Sequence, residues 1–157
     1  MTIQFKIQGI SESIFDHFWF MDEDTLKENN AYIINADAKP GYPCRVTLDE
    51  VEVGERVLVV PFSHHDVNSP YRASGPIFVR EKANQIELEA GVIPNVLRTR
   101  LLSLRGYNAD GAMLAAQTSQ GDVLTSDIQS MFSDNNIEYI HIHNANPGCF
   151  ACSVVRA

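Results

Sequence analysis

Fourteen residues near the C-terminus, Tyr139-Ile-His-Ile-His-Asn-Ala-Asn-Pro-Gly-Cys-Phe-Ala-Cys152, leave little choice of local structure. Tyr139, His141 and His143 alternate with Ile140 and Ile142, so a period of two puts both imidazoles on one face and both isoleucines on the other. Asn144 to Gly148 is turn chemistry, because Asn tolerates left-handed angles, Pro147 presets its φ, and Gly148 takes positive φ freely. The stretch reads as strand, tight loop, strand. With 144–148 as the loop, His143 is expected opposite Cys149, His141 opposite Ala151 and Tyr139 opposite Ser153. The other face then pairs Ile142 with Phe150 and Ile140 with Cys152. A slip of one residue would bury the histidines instead.

At 157 residues the chain is expected to be a single domain, 1–157, with room for a sizeable core. The net charge of −8 argues against nucleic acid or an anionic membrane surface as the main partner. Residues 1–66 hold twelve Asp/Glu against five Lys/Arg, whereas 67–157 hold eight against seven, so an anionic ligand is expected to favour the second half. Glu12 and Asp16 interrupt the first apolar stretch, and nothing reaches transmembrane length. Three cysteines without a secretion signal point to free thiols in a reducing cytoplasm.

Strands are expected at 2–8, Tyr32–Ile34, Cys44–Leu48, Glu55–Phe62, Ile77–Val79 and Ile86–Ala90. Ser11 or Ser13 is placed to cap a short helix through Phe20 with Ile14, Phe18 and Trp19 on its apolar side, and Asp22 to start a second. Lys39-Pro-Gly-Tyr-Pro43 is a turn, and Pro94 opens one helical turn carrying Val96 and Leu97. Leu101–Tyr107 and Ala112–Thr118 flank Asn108-Ala-Asp-Gly111 as a hairpin. Gly121–Phe132 is the best helix, with Val123, Leu124, Ile128, Met131 and Phe132 on one face. Residues 63–76 form a long polar loop, of a length that is uncommon in compact domains and often functional. Hairpins and a few short helices give an α+β fold around a mostly antiparallel sheet.

Five segments in order, Pro43-Cys-Arg45, Gly54-Glu-Arg56, Ser69–Val79, Leu104-Arg-Gly-Tyr107 and His143–Cys152, resemble the bacterial domain-of-unknown-function family 1203. The resemblance runs over nearly the whole chain. It implies a small bacterial single-domain protein and carries no activity, cofactor or catalytic residue.

The chemistry therefore rests on residue types. On the expected register, His143 and Cys149 face the same way, close enough for the imidazole to activate a thiolate as a catalytic pair. Arg72 offers a bidentate fork to a carboxylate or phosphate, with Tyr71, Ser74 and backbone N–H groups near Gly75 beside it. Arg105 and Tyr107 share a strand face, and with His141 and Asn144 they are expected to line the same pocket. A small anionic molecule between the 63–76 loop and the terminal hairpin is the first reading, with Arg72 and Arg105 as its cations and the loop as a lid. The second is a structural or interaction module without a small ligand, the alternative form of which has Cys149-Phe-Ala-Cys152 and a histidine stapled by zinc. Residues three apart in a strand point to opposite faces, so no metal is expected at that pair, and Cys44, His64 and His65 are the other conceivable ligands. No P-loop or Rossmann pattern is present, so no nucleotide cofactor is expected. A CxxC inside a strand also lacks the helix N-terminus that a thioredoxin-type site uses.

Overall fold

The computed structural model describes residues 2–157. The hydrophobic alternations become eight strands in two antiparallel sheets. A five-stranded sheet runs in the order β1 (Phe5–Gln8), β8 (Phe150–Arg156), β7 (Tyr139–Asn144), β5 (Leu101–Tyr107), β6 (Met113–Gln120). A three-stranded sheet places β3 (Arg56–His65) between β2 (Tyr32–Asn35) and β4 (Ala73–Arg80). Three short helices complete the fold: α1 (Glu23–Glu28), α2 (Asn95–Arg98) and α3 (Leu124–Phe132). The expected α+β fold with both late hairpins and a helix before the last one is what forms. No helix among the described residues is long and apolar enough to cross a membrane.

Each sheet has its own core. Leu124, Ile128, Met131 and Phe132 recur on one face of α3 and pack with Leu102, Leu104, Ile140, Ile142 and Cys152 of the larger sheet. Val57, Leu58, Val60, Ile77 and Val79 of the smaller sheet pack with Phe15, Val46 and Phe150. Phe150 is thus a residue of the large sheet whose ring belongs to the core of the small one.

Several expectations are corrected. The terminal hairpin closes one residue later than the loop 144–148 implied: Asn144 N–H donates to Cys149 O, and Gly148 N–H, at φ 79°, donates to Asn144 O. His143 then pairs with Phe150, and a bulge follows, so that Ile142 pairs with Cys152, His141 with Ser153 and Tyr139 with Val155. The closing shift exchanges Cys149 for Phe150 opposite His143, and the bulge restores the expected faces from Ile142 downward.

Residues 63–76 do not form a long loop, because β3 continues through His64 and His65 and β4 starts at Ala73. Cys44–Leu48 makes only isolated bridges, Pro43 to Glu50 and Cys44 to Phe78, before turning back on itself. Ile86–Ala90 is no strand, although Ile86 and Leu88 do pack against the larger core while Glu87 and Glu89 stay exposed. Residues 12–20 form two 3-10 turns that bury Phe15 and leave Ile14 outside. Val123 lies in the 3-10 turn ahead of α3, where it is exposed.

Gly121 marks the closest approach of the α3 lead-in to α2. A Cβ there would lie 1.8 Å from the Leu97 carbonyl oxygen and 2.6 Å from that of Arg98. Both are backbone atoms with nowhere to go. Gly121→Ala is therefore expected to lower stability by roughly 1–3 kcal/mol or more, as overpacking does. Gly75→Ala, where a Cβ meets nothing within 4 Å, serves as the control. Urea unfolding midpoints measure both.

Candidate functional site

A cavity of about 870 Å³ opens between Ser74, Gly75 and Pro76 of β4 and the Asn144–Phe150 end of the terminal hairpin. Tyr32, Pro43, Val59, Phe78, Leu101, Pro147 and Phe150 give it a largely apolar wall. Its polar side chains are Arg45, His64, Ser74, Arg100, Asn144, Asn146 and Cys149.

Arg45 is the unusual member. The turn after Cys44 aims its side chain inward, and the residue is 2% exposed. Nε donates to Phe150 O at 2.8 Å, Nη1 to Pro43 O at 2.5 Å and Nη2 to Cys149 Sγ at 3.1 Å. No carboxylate pairs with it among the described residues. Burial pulls Arg45 below its ordinary value and the neighbouring Cys149 acts the other way, but a guanidinium does not deprotonate in a protein. The charge is therefore buried against two carbonyl dipoles and a sulfur. Arg100, on the same wall, is already neutralised by Glu50 and also donates to Val96 O.

Behind His64 lies a layer of imidazole and phenol rings. The strand period puts His141 and His143 on one face, and the extended β3 brings His64 and His65 across to them. His64 stacks on Phe150 with ring centres 5.2 Å apart, and its ring centre lies 5.0 Å from that of His143. His65 donates through Nδ1 to Tyr71 O and accepts the Tyr139 hydroxyl at Nε2. His143 donates through Nδ1 to Gly148 O at 2.9 Å, which leaves a lone pair on Nε2. That Nε2 and His141 Nδ1 are both buried without a hydrogen-bond partner among the described residues.

Burial is the main reason that His141 is pulled down to about 3, with His65, His143, His64 and Arg105 adding repulsion. His143 is pulled down to about 4, again mainly by burial, with the Gly148 bond opposing. Both imidazoles are therefore neutral near pH 7.

The expected site residues divide into groups. Ser74, Asn144 and Cys149 line the cavity. Arg105, Tyr107, His141 and His143 belong to the ring layer: Arg105 is registered opposite His141, and Tyr107 lies against His65 at 4.1 Å. Tyr71 contributes its carbonyl to His65, while Arg72 pairs with Asp66 in the exposed 66–72 turn and takes no part in the cavity wall.

The expected facing of His143 and Cys149 gives way to a different arrangement. Asn144, not His143, is the hairpin partner of Cys149, and the sulfur accepts from Asn144 Nδ2 at 3.5 Å as well as from Arg45. Cys152 is fully buried in the larger core, where desolvation pushes its thiol up to about 12. No group of three or more His, Cys, Asp or Glu among the described residues is arranged to hold a metal ion. Arg45 and His64 line the cavity although the sequence reading placed neither in its anion pocket and named His64 only as a conceivable metal ligand. A lone arginine inside the apolar run Pro43-Cys-Arg-Val46 was the available signal for the first.

Acid is expected to destabilise the fold through His141 and His143. Their folded values lie below the unfolded value of 6.5, so the unfolded chain binds more protons once pH falls below it. Their contribution is complete above pH 6.5 and is lost as pH falls toward about 4 and about 3. The slope is about 1.4 kcal/mol per pH unit for each imidazole. Denaturant unfolding between pH 7 and 4 reads it, and His141→Phe is expected to remove about half of the slope from this pair.

Comparison with curated proteins and with solved structures finds no match. A family model, described as a protein of unknown function, matches residues 41–156, which takes in every residue lining the cavity except Tyr32. The chain belongs to that family, DUF1203.

Proposed function

We propose that this chain binds a small molecule with an anionic end and an apolar body in the cavity between β4 and the terminal hairpin. Arg45 carries the reading. A guanidinium has five N–H donors, and three are bonded here. One N–H on each terminal nitrogen is left, on a side chain that lines the cavity and has no carboxylate to balance it. Desolvating an ion costs several kcal/mol unless an opposite charge meets it. A carboxylate or phosphate on those two donors supplies that charge, and Tyr32, Phe78 and Phe150 offer the apolar body a wall.

Binding, not turnover through His143 and Cys149, is the function proposed. His143 Nδ1 is committed to Gly148 O, and among the described residues no imidazole bonds the Cys149 sulfur to serve as its base.

Thermal shift with benzoate, aliphatic dicarboxylates and phosphate tests the reading, followed by calorimetry on whichever stabilises. Arg45→Lys keeps the charge but loses the fork. Because a bidentate contact to a buried anion is worth roughly 2–5 kcal/mol, Arg45→Lys is expected to weaken binding by at least about tenfold. Arg72→Ala removes only an exposed pair with Asp66. It should leave binding unchanged and alter stability by about 0–1 kcal/mol. Failure of every carboxylate and phosphate to stabilise the wild-type chain would reduce Arg45 to a structural clasp and end the proposal.

A further inference from the structure

We infer that Cys149 exchanges its thiol, inside the cavity, with the disulfide of a small carboxylate-bearing thiol, so that the chain carries that thiol as a mixed disulfide. The inference rests on the anion site proposed above and names the class of molecule it takes.

The three cysteines are not equivalent. Cys44 and Cys152 are 1% and 0% exposed. The Cys44 sulfur accepts from the backbone N–H of Thr47 and Arg80, and Cys152 is sealed among core side chains. Cys149 is half-buried and lines a cavity large enough for a small peptide. Among the described residues its sulfur is the only cysteine sulfur bonded by a cation, Arg45 Nη2 at 3.1 Å, and the Asn144 amide Nδ2 lies at 3.5 Å.

Thiol–disulfide exchange passes through three sulfurs in line that share one negative charge. Arg45 and Asn144 direct N–H groups at the first of those sulfurs, where that charge is stabilised. The unused N–H groups of the nearly fully buried Arg45 are available to the carboxylate of the incoming molecule. The same side chain thus recognises the ligand and steadies the exchange.

The step balances without an external oxidant. Cys149 gives its proton to solvent and its sulfur attacks one sulfur of the ligand. A new S–S bond forms as the old one breaks, and the departing thiolate carries away the electron pair and takes up a proton.

The test uses two disulfides of opposite charge, oxidised glutathione and cystamine, with intact-mass and peptide mapping to follow the adduct. Each rate on the native chain is divided by the rate on the same chain in denaturant, which removes intrinsic reactivity. An ordinary surface thiol on a chain of net charge −8 would favour the cationic disulfide. The inference predicts the reverse, with the anionic disulfide favoured by about tenfold at Cys149 and the adduct abolished in Cys149→Ser.

Absence of an adduct, modification of Cys44 or Cys152 instead, or preference for cystamine would overturn it. A parallel thermal shift of Cys149→Ser with glutarate separates the two proposals. Stabilisation there, with no glutathionyl adduct on the wild type, would leave the anion site standing and dismiss the exchange. An adduct without charge preference, together with no stabilisation by glutarate, would remove the anion site and this inference with it.

Discussion

The guanidinium of Arg45 joins two parts of the chain that lie 105 residues apart, through its bond to the Phe150 carbonyl. The same side chain bonds Pro43 O beside it and the Cys149 sulfur. The 43–45 turn, which packs on the small sheet through the Cys44–Phe78 bridge, is thereby fixed to the tip of a hairpin in the large one. Phe150 completes the junction. Its carbonyl faces Arg45, while its ring lies between Phe62 and His64 of β3 and the two histidines of β7. The cavity wall and the ring layer both follow from where this one residue is held.

Much of the secondary structure was legible because it depends on local rules. The β5–β6 hairpin, the α3 face and the two-faced β7 formed where their periods placed them, save that Val123 falls outside α3 and is exposed. The cap at Asp22, whose side chain accepts from Thr25 N, and the single turn after Pro94 were equally local. Register was not local. It depended on whether the last hairpin closed at His143 or Asn144, a choice that turn-forming residues on both sides left undetermined. The polar run from Ser63 likewise resembled a loop, because strand β3 presents His64 and His65 to partners that only the fold supplies. Arg45 was hard to recognise for the same reason: two of its acceptors, the Phe150 carbonyl and the Cys149 sulfur, are distant in sequence, and no acidic neighbour reveals them.

The ring layer is a region of low polarity assembled from polar residues. His65 spends both nitrogens on Tyr71 and Tyr139, so it is fixed in orientation. Among the described residues His141 Nδ1 and His143 Nε2 have no partner, and the stacked pair Tyr107 and Tyr139 closes one side. Arg105 faces this layer with a long contact to Ser103 and its guanidinium beside the Tyr107 hydroxyl, and its charge is one cause of the lowered basicity of His64, His141 and His143. Neutral imidazoles beside a cation are acceptors. The layer thus differs in character from the cavity in front of it, where the buried cation donates.

The bulge at Phe150–Ala151 also bears on which changes of length the hairpin tolerates. Sidedness along β8 is a matter of odd and even, and the closing pair and the bulge each contribute one step to it. Straightening the bulge without removing a residue would set Ala151 opposite Ile142 and Cys152 opposite His141, and Cys152 would turn out of the core. A surface loop is ordinarily free to drift in length. The 145–148 loop keeps that freedom, because its length does not set the pairing, whereas β8 from Phe150 onward is bound by parity.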